Sequence, residues 1–423
     1  MRYHFVGMGG SGIRGLMEIV RLQGNEVSGS DLVATGHAPA HVEGADRVVY
    51  SPAVRPGSPG WVEVEEAERR GIETLRTDRL LQRLTEDAVQ LVAVAGTHGK
   101  STTTAMTGQI FEAAGRNPTV YIGAPVLAWD GHGYRGGDPS IWVVEADEYE
   151  RKFLQLSPTV AIITNIEFEH PDIYADLADV EEAFVGFIRA IRPGGTLVAC
   201  QDSDTVRRVV AAAGRTDISV VWYGTDAGTY APSLLPPLSV LGAHNILNAL
   251  AALAAAEAAG IGRQTALASL AAFAGAGRRL ERVGERDGVT VIDDYGHHPT
   301  ELQVSIKAVR EAFPGRRLVV AFQPHQHARL RALFSDFARS FRAADLVLIT
   351  DVFAVPGREE ADRVDPRTLV EAIQADGKDC QFVGSLDRLA DSLHELLHPG
   401  DVFLTIGATA ITAVGRDWVA AGR

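Results

Sequence analysis

Twice along this chain a short apolar run ends in a glycine turn and passes straight into a helical pattern. This happens across Tyr3–Gly7 and Ser11–Gln23, and again across Gln90–Ala95 and Lys100–Ala114. A strand that feeds a helix through such a turn crosses over before the next strand, and right-handed crossovers build parallel sheets. The fold class that follows is α/β. The pattern continues with strands at Glu26–Asp31 and Arg47–Ser51, then Pro52, Pro56 and Pro59, then a helix over Trp61–Arg70. Further strands are expected at Ser140–Glu145, Thr159–Asn165 and Thr196–Ala199, before an irregular stretch at Thr229–Ser239. A last group falls at Val289–Asp293, Arg317–Ala321, Leu346–Thr350 and Val402–Ile406. With 423 residues the chain exceeds one ordinary core. The expected domains are 1–88, 89–277 and 278–423.

The first turn, Gly7-Met8-Gly9-Gly10-Ser11-Gly12, fits G-x-G-x-x-G, and Asp31 follows at the interval of a dinucleotide fingerprint. Gly7, Gly9, Gly10 and Gly12 let backbone amides approach a pyrophosphate, whose charge is favoured at the helix N-terminus where Ser11 stands. A UDP-sugar binder and a nicotinamide oxidoreductase both satisfy this turn, and so does a tight strand-to-helix corner with no ligand.

The second turn is more specific. Gly96-Thr97-His98-Gly99-Lys100-Ser101-Thr102 ends in Gly-Lys-Ser at a helix start, although Val94 stands where the general pattern has its first glycine. Amides of such a turn cradle β- and γ-phosphates, the lysine adds a point charge, and the serine hydroxyl can hold Mg²⁺. This is a nucleoside-triphosphate site. A dehydrogenase has no use for it, so the pair of turns points to an enzyme that handles a nucleotide-linked substrate and a separate ATP.

Ligands gather at the carboxyl ends of parallel strands. Glu145 ends one expected strand, in Glu145-Ala146-Asp147-Glu148, and Thr164-Asn165 ends the next, with His170 beyond it in Glu167–Asp172. A carboxylate and an imidazole so placed suit a magnesium site, against the plainer reading of a solvated acidic loop. The net charge of −14 argues against a nucleic-acid partner. Cys200 and Cys380 lie far apart with no zinc spacing, and no apolar stretch has the length of a membrane span. No leader pattern is read at the N-terminus, so a cytoplasmic location is expected.

Taken in order, Gly96–Thr104, Glu145–Glu148, Thr164–His170, His244–Asn248 and Asp293–Glu301 resemble the motifs of the Mur ligase family, over essentially the whole chain. The resemblance implies a three-domain architecture: a Rossmann-like UDP-substrate domain, a central P-loop ATPase domain and a Rossmann-like amino-acid domain. It implies ATP and Mg²⁺ as cofactors in peptidoglycan synthesis. Within the family, the first turn together with Asp294–Pro299 and Phe322–His325 is most similar to the branch that joins L-alanine to UDP-N-acetylmuramate. The runner-up is the branch that recycles murein tripeptide. A non-catalytic nucleotide-binding module stands as a further alternative.

Residue by residue, the resemblance implies that Lys100 holds the ATP phosphates, while Ser101, Glu145 and His170 serve magnesium. Asn165 is placed with the ATP site, and His244, Asn245 and Asn248 on the adenine side. Arg279 is expected at the γ-phosphate and Asp294 at the ribose. Tyr295, His297, His325 and Arg329 would surround the incoming amino acid, with His170 or His297 receiving its proton. Read alone, Asp294–His298 could cap the helix over Thr300–Phe313, and Arg278-Arg279 could be a solvated pair. Three departures stand out. Gln326 replaces an arginine usual after the FQPH histidine, which leaves the incoming carboxylate to Arg329, Arg331 or a histidine. The span from Trp222 to His244 is short, and Gly407-Ala408-Thr409-Ala410 replaces a GAGD-like turn.

Overall fold

The computed structural model describes residues 1–226, 228–354 and 363–422, with the backbone alone for Ser11. Its described strands form three sheets.

The first sheet is parallel, in the order β2-β1-β3-β4, from β1 (Arg2–Val6), β2 (Glu26–Ser30), β3 (Arg47–Tyr50) and β4 (Glu73–Arg76). Helices α1 (Ser11–Leu22), α2 (Trp61–Arg69) and α3 (Thr77–Thr85) connect or follow its strands. The order reverses around β1, so the first glycine turn leaves the carboxyl end of the strand at the switch point, where open α/β sheets bind ligands. Val6, Val42, Val48, Val54, Val64 and Ala67 close a small core beneath it.

The second sheet contains β5 (Gln90–Ala95), β6 (Pro118–Val126), β7 (His132–Arg135), β8 (Asp138–Glu145), β9 (Val160–Ile163), β10 (Thr196–Cys200) and β11 (Ser219–Tyr223). Their order is β11-β10-β9-β5-β8-β6-β7, with β7 the antiparallel edge. Helices α4 (Lys100–Ala113), α5 (Leu177–Arg189), α6 (Asp204–Ala213), α7 (Ala243–Ala258) and α8 (Arg263–Ala271) belong to the same stretch. Leu91–Ala95 of β5 are wholly buried, as a strand covered on both faces requires. Its neighbours β8 and β9 lie on either side of it, so the second turn, too, sits at a switch point.

The third sheet runs β12-β13-β17-β14-β15-β16, from β12 (Glu281–Arg286), β13 (Val289–Asp294), β14 (Leu318–Phe322), β15 (Leu346–Thr350), β16 (Asp379–Gly384) and β17 (Val402–Ile406). Only β12 is antiparallel. Helix α9 (Pro299–Ala312) follows β13, and α10 (His327–Ala332), α11 (Phe334–Arg339), α12 (Pro366–Ala375), α13 (Leu386–Leu396) and α14 (Ile411–Ala420) complete the set. Separate apolar clusters cover the two faces of this sheet.

By contact the chain divides into two compact units. The first holds Met1–Glu167, Ala178–Leu238 and Leu247–Ala274, and the second holds Phe168–Leu177, Ser239–Ile246 and Gly275–Arg423. No helix among the described residues is long and apolar enough to cross a membrane.

Candidate active site

The first turn is held by its own strands. Gly7 takes a φ of +82°, and the amides of Gly7 and Met8 donate to the Ser30 carbonyl at 2.9 and 3.0 Å. Asp31 accepts from the Gly9 amide at 2.9 Å, and a Cβ on Gly9 would stand 2.5 Å from that carboxylate. Gly9 is therefore needed for the approach of Asp31 as well as for any ligand. Gly12 has a different duty. The Tyr121 hydroxyl of β6 donates to its carbonyl at 3.2 Å, and a Cβ there would stand 3.0 Å from the same hydroxyl. The third glycine thus admits a tyrosine from the second sheet.

In the second turn Gly96 and Gly99 adopt φ of +136° and +81°, which side chains rarely tolerate. Asn165 fixes the loop between them: its Oδ1 accepts from the His98 amide at 2.9 Å, and its carbonyl from Thr97 at 3.0 Å. Thr164 donates to the His98 carbonyl at 2.6 Å. Asn248 presses on the other side, 2.5 Å from where a Gly99 Cβ would be, and accepts from Thr103. Asn165 and Asn248 therefore brace the turn. Ser101 and Thr102 are buried at the start of α4.

Lys100 folds back over this turn. Its ammonium donates to the carbonyls of Gly96 (2.5 Å) and Thr97 (3.0 Å), and lies 3.0 Å from a Glu148 oxygen. Burial alone would lower its pKa, but the charges of Glu148, Asp147 and Glu145 outweigh that and hold it above the ordinary lysine value. Asp147 is held low against its own burial by Lys152 and Lys100. Glu145, at the end of β8, accepts from the Gly123 amide of β6 at 2.9 Å. Three carboxylates thus meet at one strand end beside a phosphate-type turn. Tyr121, Glu145 and Asp147 line a common cavity of about 70 Å³ with Leu16 of α1 and Asp78 of α3. Both turns of the first unit therefore flank one polar strand end.

The second unit gathers another set. His170 has a φ of +57°, its amide donating to Glu169, and Glu169 is buried against Arg329 at 2.8 Å. Burial would raise the Glu169 pKa, but Arg329 and the nearby histidines drive it well below the usual carboxylate range. The Arg329 Nη1 also lies 2.9 Å from His325 Nδ1. The His325 ring stands 6.1 Å from that of His297, which is 5.5 Å from Tyr295. His297 Nδ1 lies 3.2 Å from the Tyr295 carbonyl, so the neutral ring donates there and keeps its lone pair on Nε2. Burial, reinforced by Arg329, lowers the His297 pKa to about 4. The guanidiniums of Arg278 and Arg279 lie over the Tyr295 ring at 4.8 and 5.2 Å.

Asp294 ends β13 and accepts from the amides of Leu280 (2.9 Å) and Gly296 (2.8 Å) and from Ser305 (3.1 Å). Burial raises its pKa to about 6 despite these bonds and Arg279. His244 is lowered to about 4 by burial and then by Arg279, and its Nδ1 is buried with no hydrogen-bond partner among the described residues. Asn245 donates to the Leu241 carbonyl at 2.7 Å.

Residues 2–88 match the family model described as Mur ligase family, catalytic domain; 94–256 match Mur ligase middle domain, and 278–409 match Mur ligase, glutamate ligase domain. A UDP-N-acetylmuramate–L-alanine ligase of Nitratidesulfovibrio vulgaris is 37% identical, covering 99% of this chain and 98% of its own. The chain belongs to the Mur ligase family. A second relative of that description, from Acidithiobacillus ferrooxidans, is 37% identical and covers 98% of this Mur ligase and 96% of itself. Among solved structures, the UDP-N-acetylmuramate–alanine ligase of Thermotoga maritima superposes with a TM-score of 0.82 at 26% identity, over 100% of this chain and 99% of that one. A murein peptide ligase from Psychrobacter arcticus shares the fold with a TM-score of 0.72 at 24% identity, over 100% and 98%.

Several side chains of this Mur ligase took part in the site without a role assigned from sequence. Glu148 and Asp147 follow the strand-end glutamate in the same acidic run, but only the backbone path decides which of them meets Lys100. Glu169 precedes the expected ligand histidine, and its partner Arg329 is 160 positions away. Tyr121 lies on β6, whose mixed polar and apolar sequence gives no clear strand period. Arg278, which sequence alone allowed as one of a solvated pair, donates to the carbonyls of Gly407 (2.6 Å) and Thr409 (2.9 Å), in the turn that replaces the GAGD-like sequence.

Proposed function

We propose that this chain joins L-alanine to the lactyl carboxylate of UDP-N-acetylmuramate, using ATP to convert that carboxylate to an acyl phosphate, in the cytoplasmic phase of peptidoglycan synthesis. The observation that carries the reading is the pair of glycine turns in one compact unit, flanking a strand end that bears Glu145, Asp147 and Glu148. An oxidoreductase would use the first turn and leave Lys100 and the second without work. We take 1–88 as the UDP-substrate domain, 89–277 as the ATP domain and 278–423 as the amino-acid domain.

A carboxylate is a poor electrophile, and phosphorylation supplies its leaving group. The amine of L-alanine then attacks, phosphate departs, and catalysis of both steps is chiefly positioning and charge neutralisation. Gly7, Gly9, Gly10, Ser11, Gly12 and Asp31 would hold the UDP moiety. Gly96–Thr102 would hold the triphosphate, with Lys100 released from Glu148 to meet its charge. Asn165, Asn248, His244 and Asn245 would complete the nucleotide site, and the buried Nδ1 of His244, with no partner among the described residues, supports a ligand there. Arg279 is assigned to the γ-phosphate and Asp294 to the ribose.

The donor set fits Mg²⁺, because Glu145, Asp147 and Glu148 bring more negative charge to the strand end than Lys100 and Lys152 balance. Ser101, Glu145 and His170 are the residues we assign to it. When bound, the ion would neutralise phosphate charge. Tyr295, His297, His325 and Arg329 would receive L-alanine, whose carboxylate would meet a guanidinium already oriented by Glu169. His170 or His297 takes the amine proton, and His297 is neutral above about pH 4.

The test supplies UDP-N-acetylmuramate, ATP and Mg²⁺ with L-alanine, glycine, L-serine or murein tripeptide as competing acceptors. ADP and the L-alanyl amide are expected, and Lys100→Ala should abolish both while circular dichroism stays unchanged. Product from the tripeptide alone, or full turnover in that variant, would overturn the assignment.

A further inference from the structure

Beside the first sheet, three histidines converge on one buried glutamate. Glu63 of α2 has no exposed surface, and its Oε2 lies 2.9 Å from Nε2 of His4 on β1. Its Oε1 lies 2.9 Å from Nδ1 of His41 and 3.1 Å from Nδ1 of His37. The donor atoms of His4, His41 and Glu63 all fall within 4.8 Å of one another. The ligands of a tetrahedral cation with bonds of about 2.0–2.2 Å stand about 3.4 Å apart, which falls between the 2.9 Å contacts and the 4.8 Å limit of this cluster.

We infer that His4, His41 and Glu63 form a binding site for a borderline transition cation, Zn²⁺ being the natural occupant, with His37 or water at the fourth position. The donor chemistry selects the ion: two imidazole nitrogens with a single carboxylate suit zinc and disfavour magnesium or calcium, which prefer oxygen throughout.

The groups behind these donors are arranged as they are behind metal ligands. Nδ1 of His4 lies 2.9 Å from the Ser28 hydroxyl, which engages the far nitrogen and leaves Nε2 toward Glu63. The Ser30 hydroxyl donates to Glu63 Oε2 at 2.6 Å, and the Ala38 amide to Oε1 at 3.0 Å. These bonds orient the carboxylate. His41, with a third of its side chain exposed, gives a path of entry, whereas His4 and His37 are nearly sealed.

The site has a mechanical tie to the first turn, because the Ser30 carbonyl receives the amides of Gly7 and Met8. A cation here would lock β1, the end of β2 and α2 into the frame on which that turn rests.

The experiment uses the purified full chain, freed of metal with a chelator, without nucleotide. Zn²⁺ is titrated with metal analysis and thermal melting as readouts, and Co²⁺ is used to report ligand field by visible absorption. The wild type should bind one more equivalent of zinc than His41→Ala, melt higher with zinc, and show a four-coordinate cobalt spectrum that the variant lacks. Ser28→Ala, which leaves all three ligands in place, should weaken zinc about 10–100-fold. Glu63→Gln, where it folds, should behave as His41→Ala does. Equal zinc content and equal cobalt spectra in wild type and His41→Ala, or no zinc retained by either, would overturn the proposal and leave the cluster as a hydrogen-bonded brace within the first sheet.

Discussion

Replacing Arg329 with methionine keeps most of its apolar stem but removes the guanidinium from Glu169. Both side chains are almost wholly buried, at 2% and 6% exposure, and they meet at 2.8 Å. Removing one partner of such a pair leaves a charge that water cannot reach, which costs about 3–5 kcal/mol. For a unit of roughly 150–250 residues each kcal/mol moves the midpoint by about 2–4 °C, so a drop of about 6–20 °C is expected in the transition of the second unit. Differential scanning calorimetry reads this, with Glu169→Gln and the double variant completing a cycle. The two single losses should overlap by well over 1 kcal/mol. Glu169 has a folded pKa below its unfolded value, so its stabilisation is present above about pH 4.5 and is lost as pH falls through the folded value. The gap between wild type and Arg329→Met should therefore narrow in acid. Additivity within about 0.5 kcal/mol, or a gap that does not change with pH, would refute the buried-pair reasoning.

Gly99→Ala would force a side chain into a left-handed position at a cost of about 1–2 kcal/mol and drive its Cβ into Asn248, so ATP affinity by calorimetry should fall about 10-fold or more. Tyr121→Phe deletes the hydroxyl that joins β6 to Gly12, and a loss of about 1 kcal/mol in stability is expected from denaturant melts. Asp294 has a folded pKa raised to about 6, so its contribution is full below about pH 4 and is lost as pH rises through 6; Asp294→Asn should flatten that part of the stability curve.

Much of the fold was legible because parallel strands carry dense apolar runs. Gln90–Ala95, Leu346–Thr350 and Val402–Ile406 have the bounds read from sequence, and β13 gains only Asp294. The strands not read were those with a weak period: β4, β6, β7, β11, β12 and β16, several of them at sheet edges or half exposed. The turns themselves were legible for a different reason, since glycine at a strand end followed by a helix has few other uses. What sequence could not supply was pairing at a distance. Nothing in Glu169 names Arg329, nothing in Gly12 names Tyr121, and the convergence of His4, His41 and Glu63 requires β1, the segment after β2 and α2 to be brought together. Asn165 and Asn248 read as nucleotide-site residues, and sequence carried no sign that they also brace the phosphate turn, as the structure shows.

In the proposed reaction the acid is activated by phosphoryl transfer from ATP before the amide forms. UDP-N-acetylmuramate carrying ¹⁸O in its lactyl carboxylate, turned over with ATP and L-alanine, tests this by mass spectrometry of the released phosphate. One labelled oxygen should appear in phosphate for each amide made. Amide formation with unlabelled phosphate would contradict the acyl-phosphate route.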